Sequence, residues 1–158
     1  MFHRNIYYIL SKYNKILVQR NNLLKQIKSN PSLIDTLDIW DEQLVNYGIN
    51  IIKKREEFIV LLNKIIYQIH QKLTGGLEKI KVEYDPSVKE KEFHKELSKK
   101  RELDLKNLYT YVGPHKDDIS FYVNGIDIRK FGSQGQQRTA ALSLKLAEIE
   151  LVKKIINE

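Results

Sequence analysis

Two long stretches of helical periodicity, separated by a four-residue break, constrain this chain more than any other feature. Ile6, Leu10, Tyr13, Leu17, Leu24 and Ile27 recur at steps of 4, 3, 4, 7 and 3, and Ile9, Ile16 and Leu23 widen the stripe. This predicts one helix over residues 4–28. Ser29-Asn30-Pro31-Ser32 ends it. A second helix is expected from about Asp38 to Leu73, on the stripe Leu44, Tyr47, Ile51, Phe58, Leu62, Ile65 and Ile69, with Gly48 inside it as a place to kink or split. Two such helices joined by a short break form an αα-hairpin, closed by the C-cap signal Gly75-Gly76. Each stripe is interrupted by an arginine, Arg20 in the first and Arg55 in the second. Such an arginine either faces a polyanion or is half-buried against a carboxylate. The second reading is favoured for both, with Asp41 or Glu42, just past the bend, as the partner of Arg20.

Beyond Gly76 the period changes. Leu77, Lys79, Lys81 and Glu83 alternate with Glu78, Ile80, Val82 and Tyr84, which reads as a half-buried strand closed by Asp85-Pro86. Residues 87–108 are expected to form one highly charged, mostly solvated helix with a thin stripe of Phe93, Leu97 and Leu105. Residues 109–131 read as β structure: Tyr109 to Val112, a Gly113-Pro114 turn, and a strand from Ile119 to Val123. Asn124-Gly125 then suits a type I′ hairpin turn, which needs positive φ at both positions, and Ile126 to Phe131 returns. A last helix, from about Gln134 to Asn157, carries Leu142, Leu144, Leu146, Ile149, Leu151, Val152, Ile155 and Ile156 on several faces, so it is expected to be buried nearly all round. The fold class is α+β: a helical-hairpin arm over 1–75, then part of a head over 76–158 in which a β-hairpin leads into the last helix.

Composition narrows the chemistry. The 158 residues carry a net charge of +7. Residues 1–75 hold eleven basic and six acidic residues, so most of the excess lies there. A basic face suits a polyanion such as nucleic acid. Lys53, Lys54 and Arg55 are the DNA-binding candidates, since phosphate contacts of this kind add salt-dependent affinity blind to sequence. Lys99-Lys100-Arg101 is a second run, but Glu96 and Glu102 flank it, and a plain solvated face explains it. The absence of Cys excludes disulfides and thiolate zinc sites and fits a cytoplasmic setting. The four His show no metal-ligand spacing, so no metal is expected. No apolar run approaches the roughly 20 residues a membrane span needs, and the N-terminus lacks the apolar core of a secretory signal.

The segment with the most chemical content is Phe131-Gly132-Ser133-Gln134-Gly135-Gln136-Gln137-Arg138-Thr139, where a strand gives way to a helix. Ser133 suits an N-cap, and Gln136 completes a Ser-x-x-Gln capping box. Gly135 does not fit a role limited to capping. In a first turn it costs about 1 kcal/mol against Ala, yet it bares the N–H groups and dipole of a helix start, which together favour phosphate. Both readings stand on the residues alone.

Gly132 to Arg138, continued by Thr139-Ala-Ala-Leu-Ser-Leu-Lys-Leu-Ala-Glu-Ile-Glu-Leu151, resembles the ABC-type signature motif and helix as carried by the RecF family. Val112-Gly113-Pro114-His115-Lys116-Asp117-Asp118, Gln19-Arg20-Asn21 with Leu23-Leu24, and Leu37 to Leu44 also resemble RecF, and all four occur in the family's order. The resemblance implies an ATPase of the ABC type, related to SMC and Rad50 heads. It implies a protein that binds Mg-ATP and DNA, forms a homodimer around two nucleotides, and works with RecR and RecO where RecA is loaded. In such a dimer the signature helix covers ATP held by the other subunit. Ser133 would then meet the γ-phosphate, the Gln134 and Gly135 backbone would lie against the phosphates, and Gln136 would flank them.

The chain departs from the family in extent. It has no G-x-x-x-x-G-K-[ST] phosphate loop, and no hydrophobic strand ending in paired acids follows the last helix, because the sequence stops at Glu158, so it reads as an internal fragment. No catalytic residue is assigned in it, and alone it is expected neither to hold Mg-ATP tightly nor to hydrolyse it. Two other readings are a non-enzymatic helical module that binds DNA or protein, and a different SMC- or Rad50-like head. Long heptads beyond the arm would favour the last and are absent.

Overall fold

The computed structural model describes residues 2–157 and, from residue 5 onward, their side chains. The two periodic stretches form α1 (Phe2–Ser29) and α2 (Leu37–Thr74), joined by a 3₁₀ turn over Pro31–Thr36. α2 is unbroken at Gly48. Instead, Gly48 lets the Phe93 ring pack against the helix: a Cβ there would stand 2.4 Å from Phe93 Cε1. After Thr74, Gly75 and Gly76 take positive φ and turn the chain out of α2.

The sheet has three antiparallel strands in the order β1 (Ile80–Asp85), β2 (Asp118–Val123) and β3 (Ile126–Asp127). Ile80 faces Val123 and Asp85 faces Asp118 across the first pair. Asn124 and Gly125 carry φ of +51° and +80°, as their turn demands. β3 is shorter than expected, because the Asp127 carboxylate accepts from the Arg129 N–H and starts a short helix, α5 (Ile128–Phe131). The longest helix of this part is α6 (Gln134–Ile156).

Between β1 and β2 the expected single charged helix is two, α3 (Phe93–Lys99) and α4 (Arg101–Asn107), jointed at Lys100. Phe93, Leu97 and Asp104 are fully buried, so this stretch is less solvated than its charge suggests. Residues 109–112 form no strand. Their polar groups are committed elsewhere: the Tyr111 N–H donates to Asp104 Oδ1 at 3.0 Å, and the Thr110 carbonyl accepts from His115 Nε2 at 2.6 Å.

The chain forms two compact units, each with its own core. One holds residues up to Lys54 together with Pro86–Asp117; the other holds Arg55–Asp85 and the residues from Asp118 on. In the first, Leu23, Leu24, Ile27 and Leu37 are buried, with Trp40 and Leu105 against them. In the second, Leu62 and Ile66 of α2 pack with Ile80, Val82 and Val123 of the sheet and Ala140, Ala147 and Leu151 of α6. The buried face of α6 is therefore a stripe of small residues, Ala140, Ser143 and Ala147, ending in Leu151. Leu142, Leu146, Ile149 and Val152 are exposed, which corrects the expectation of burial all round. Small side chains let the helix backbone approach its neighbours closely, and the large ones are left on the outer face. No helix among the described residues is long and apolar enough to cross a membrane.

Candidate functional site

The start of α6 is shaped by its own residues. Ser133 Oγ accepts from the Gln136 N–H at 3.1 Å, and Gln136 Oε1 accepts from the Ser133 N–H at 3.0 Å, so both halves of the capping box are formed. Gln137 Nε2 donates to the Ile128 carbonyl at 2.9 Å and ties the helix start to α5. Gly132 is sterically required, since a Cβ would meet the Ile128 carbonyl oxygen at 2.6 Å. Gly135 is not: a Cβ there would find only Ser133 Oγ, at an ordinary 3.8 Å. Ser133, Gln134 and Gly135 are exposed and Gln136 is half-buried. The N–H groups of Gln134 and Gly135, at the first two helical positions, have no carbonyl to bond within the helix. No acidic residue lies in the first turn to neutralise the positive end of the dipole. Ser133 Oγ serves the cap as an acceptor, which leaves its proton available to a further acceptor. Chemically the helix start offers two backbone N–H donors and one hydroxyl proton to an outside acceptor. No group of three acidic, His or Cys side chains able to hold a metal ion occurs among the described residues.

One buried link escaped the sequence reading. His70 of α2 is fully buried, with Nδ1 2.7 Å from Ser143 Oγ and Nε2 2.8 Å from Glu78 Oε2. Ser143 Oγ also bonds the Thr139 carbonyl at 2.9 Å. This chain of bonds fixes α6 against α2 ten residues beyond the cap. The signal for it was positional: His70 lies four residues after Ile66 on the buried face of its helix, and Ser143 lies between Ala140 and Ala147.

The other candidates are dispersed. Lys53 is exposed and pairs with Glu90 at 3.0 Å. Lys54 and Arg55 are half-buried, and neither is without a partner. Of the second basic run, Lys99 pairs with Glu96 at 2.6 Å, while Arg101 reaches Asp38 at 2.5 Å and Asp41 at 2.7 Å. Arg20 is fully buried. Its Nε donates to Asp41 at 2.6 Å and its Nη1 to Asp104 at 2.9 Å and Thr110 Oγ1 at 2.8 Å. His115 continues the network. Its Nε2 must donate to the Thr110 carbonyl, so its Nδ1, 2.8 Å from Tyr13 Oη, accepts from the tyrosine. Burial holds the His115 pKa below its ordinary value, in spite of the Thr110 bond. Gly113 leaves room for this pair: it has φ +134°, and a Cβ would come within 2.3 Å of Tyr13 Oη.

No family model matches the chain. Among curated proteins it is 61% identical over 148 residues to the DNA replication and repair protein RecF of Agathobacter rectalis, covering 94% of this chain and 41% of that one. To the RecF of Clostridium botulinum it is 48% identical over 160 residues, covering 98% and 43%. Among solved structures it resembles RecF-ATP of the RecFOR pathway, a recombination mediator protein, with a TM-score of 0.90 at 39% identity, covering 98% of this chain and 44% of that one. A RecF-ATPrS structure gives 0.89 at 38%. The fold is thus of the α+β class and is that of the matching part of these RecF structures. Within that class the chain belongs to the RecF family, and it spans about two fifths of the length of the curated relatives it matches.

Proposed function

We propose that this chain serves a RecF-type DNA repair and recombination protein as the part that covers a nucleotide held by another subunit. In this reading residues 1–75 act as an arm and 76–158 as part of the ATPase head. Ser133 donates to the γ-phosphate, the Gln134 and Gly135 N–H groups lie against the phosphates, and Gln136 flanks them. The observation that carries it is Gly135. It weakens the first turn by about 1 kcal/mol against Ala, and nothing in this chain's own packing requires it. A role limited to capping accounts for Ser133 and Gln136 but leaves Gly135 unexplained. The donors suit ATP phosphates; Mg²⁺ would have to be held by residues outside this chain, as would the phosphate loop.

ATP binding would close two subunits into a homodimer that engages DNA, with Lys53, Lys54 and Arg55 as phosphate contacts, and would act in the cytoplasm with RecR and RecO. The family membership and the RecFOR context of the solved relatives support this setting. The test is sedimentation of a full-length protein carrying this segment, with and without ATP. Ser133→Arg should still bind ATP but no longer dimerise. Ser133→Thr, which keeps a hydroxyl and much of the cap, should dimerise. Dimerisation of Ser133→Arg at wild-type ATP concentrations would leave capping as the whole role.

A further inference from the structure

Apolar packing holds α6 in its unit but does not set its rotation or its axial position. The buried face is the small-residue stripe Ala140, Ser143 and Ala147, and the two alanines pack with Leu62 and Ile66 of α2. Attraction between such surfaces has no direction. Two directional ties supply it. One is in the first turn, where Gln137 Nε2 donates to the Ile128 carbonyl at 2.9 Å, but its anchor, α5, is only four residues long. The other lies six residues further on, where Ser143 Oγ meets His70 Nδ1 at 2.7 Å. A single tie would let the helix axis pivot; two fix it.

His70 is itself held from behind. It is fully buried and follows Leu62 and Ile66 by eight and four residues on the same face of α2. Its Nε2 lies 2.8 Å from Glu78 Oε2, so both ring nitrogens are bonded and the ring cannot turn without losing a partner. The last turn of α2 fixes Glu78 in turn: Gln71 Nε2 donates to the Glu78 carbonyl at 2.6 Å, and the Glu78 N–H donates to Thr74 Oγ1 at 3.4 Å. An aliphatic side chain at position 70 would fill the core without these bonds, since a buried polar group costs free energy unless it is paired. The imidazole contributes direction instead. A helix moves as a rod, so a shift at Ser143 is carried back to Ser133, about 15 Å away at 1.5 Å per residue. We propose that His70 is a positioning residue of the Ser133 site. Through Ser143 it sets the rotation and axial position of α6, and so where Ser133 and the Gln134 and Gly135 N–H groups meet a phosphate. It touches no nucleotide itself. The inference rests on the function proposed above, in which a misplacement of about 1 Å can cost about 100-fold.

The test measures the ATP concentration at which a full-length protein carrying this segment is half dimeric, with ATP binding to the phosphate loop measured beside it. An Asn amide stands where Nδ1 of a histidine lies, and a Gln amide stands near Nε2. His70→Asn therefore keeps a partner for Ser143 and gives up Glu78, whose side chain is 20% exposed and can turn to water. His70→Gln keeps Glu78 and gives up Ser143. His70→Gln should raise the ATP midpoint at least about tenfold, and His70→Asn by less than about threefold, with ATP binding unchanged in both. Ser143→Ala matches its neighbours Ala140 and Ala147 in size, so it also serves if His70→Gln does not fold. It should behave as His70→Gln does, and combining the two should add nothing, as for partners in one interaction. A purely structural role would lower the urea midpoints and leave the ATP midpoint of the folded protein where it was. That result, or equal ATP midpoints for His70→Asn and His70→Gln, would overturn the proposal. Ser133→Arg is measured alongside. If it fails to dimerise while His70→Gln and Ser143→Ala dimerise as the wild type does, the positioning role alone is lost. If Ser133→Arg dimerises, the proposed function falls, and this inference with it.

Discussion

Arg20 and Asp41, twenty-one positions apart, form an ion pair at 2.6 Å in which both side chains are buried. The geometry explains why an arginine can occupy a step of an apolar stripe. Asp104 and Thr110 take Nη1, and Arg101 holds the second oxygen of Asp41 at 2.7 Å, so the charges are compensated from three segments of one unit. Burial pushes the Asp104 pKa up, and the Arg20 charge opposes the shift.

Breaking this pair should be costly. Removal of one partner strands a buried charge, for which the cost is about 3–5 kcal/mol. Arg20→Ala should lower stability by that order in urea unfolding. Lys53→Ala, on an exposed pair, should change it by less than about 0.5 kcal/mol. Equal, small effects would mean that Arg20 is not held as described.

Gly48 offers a test in which two effects have opposite signs. Replacing a helical Gly by Ala gains about 1 kcal/mol of helix propensity. The new Cβ would stand 2.4 Å from the buried Phe93 ring, and overpacking typically costs about 1–3 kcal/mol. Gly48→Ala should therefore be destabilised, and Gly48→Ala/Phe93→Leu should recover part of the loss. A more stable Gly48→Ala would show that the ring does not lie against the helix.

The His115 network predicts a pH dependence. Burial lowers the folded pKa below the ordinary 6.5, so the unfolded chain takes up the proton first as pH falls. The contribution is fully present above about 6.5 and is lost between that value and the lower folded one. Asp104, with a raised pKa, contributes in the opposite sense, so the comparison is with His115→Asn. Between about pH 7.5 and 5.5 the wild type should lose more stability than the variant. Parallel curves would contradict a half-buried neutral imidazole.

A large part of the fold was legible because it rested on period and punctuation. Helix ends at Ser29 and Thr74 followed from Asn30-Pro31 and Gly75-Gly76, and the hairpin turn from Asn124-Gly125. The Arg20–Asp41 pair was legible because a charge in an apolar stripe needs a partner. The strands failed for one cause: side-chain hydrogen bonds that no local pattern displays. Asp104 and Thr110 draw residues 109–112 away from a ladder, and Asp127 turns a strand into a helix. The burial of α6 was misjudged because large apolar residues were weighed and the small stripe of Ala140, Ser143 and Ala147 was not. At the helix start, both bonds of the capping box followed from spacing, whereas the room for a side chain at Gly135 is a property of the folded structure alone.

The 158-residue chain alone should show no ATPase activity above background, because it holds no phosphate loop. Phosphate release assayed with the purified chain and with Ser133→Ala checks this. Turnover that survives purification and disappears in the variant would refute it.

The central claim, that Ser133 serves a nucleotide held by the other subunit, is tested most directly by mixing two defective full-length proteins that carry this segment. One has Ser133→Arg and an intact phosphate loop. The other has an intact Ser133 and a phosphate-loop lysine replaced by alanine. Neither alone should dimerise with ATP. Together they can form one complete site, from the loop of the first and Ser133 of the second, so sedimentation of the mixture with ATP should show a heterodimer. A mixture that stays monomeric while each protein remains folded would contradict a role in trans.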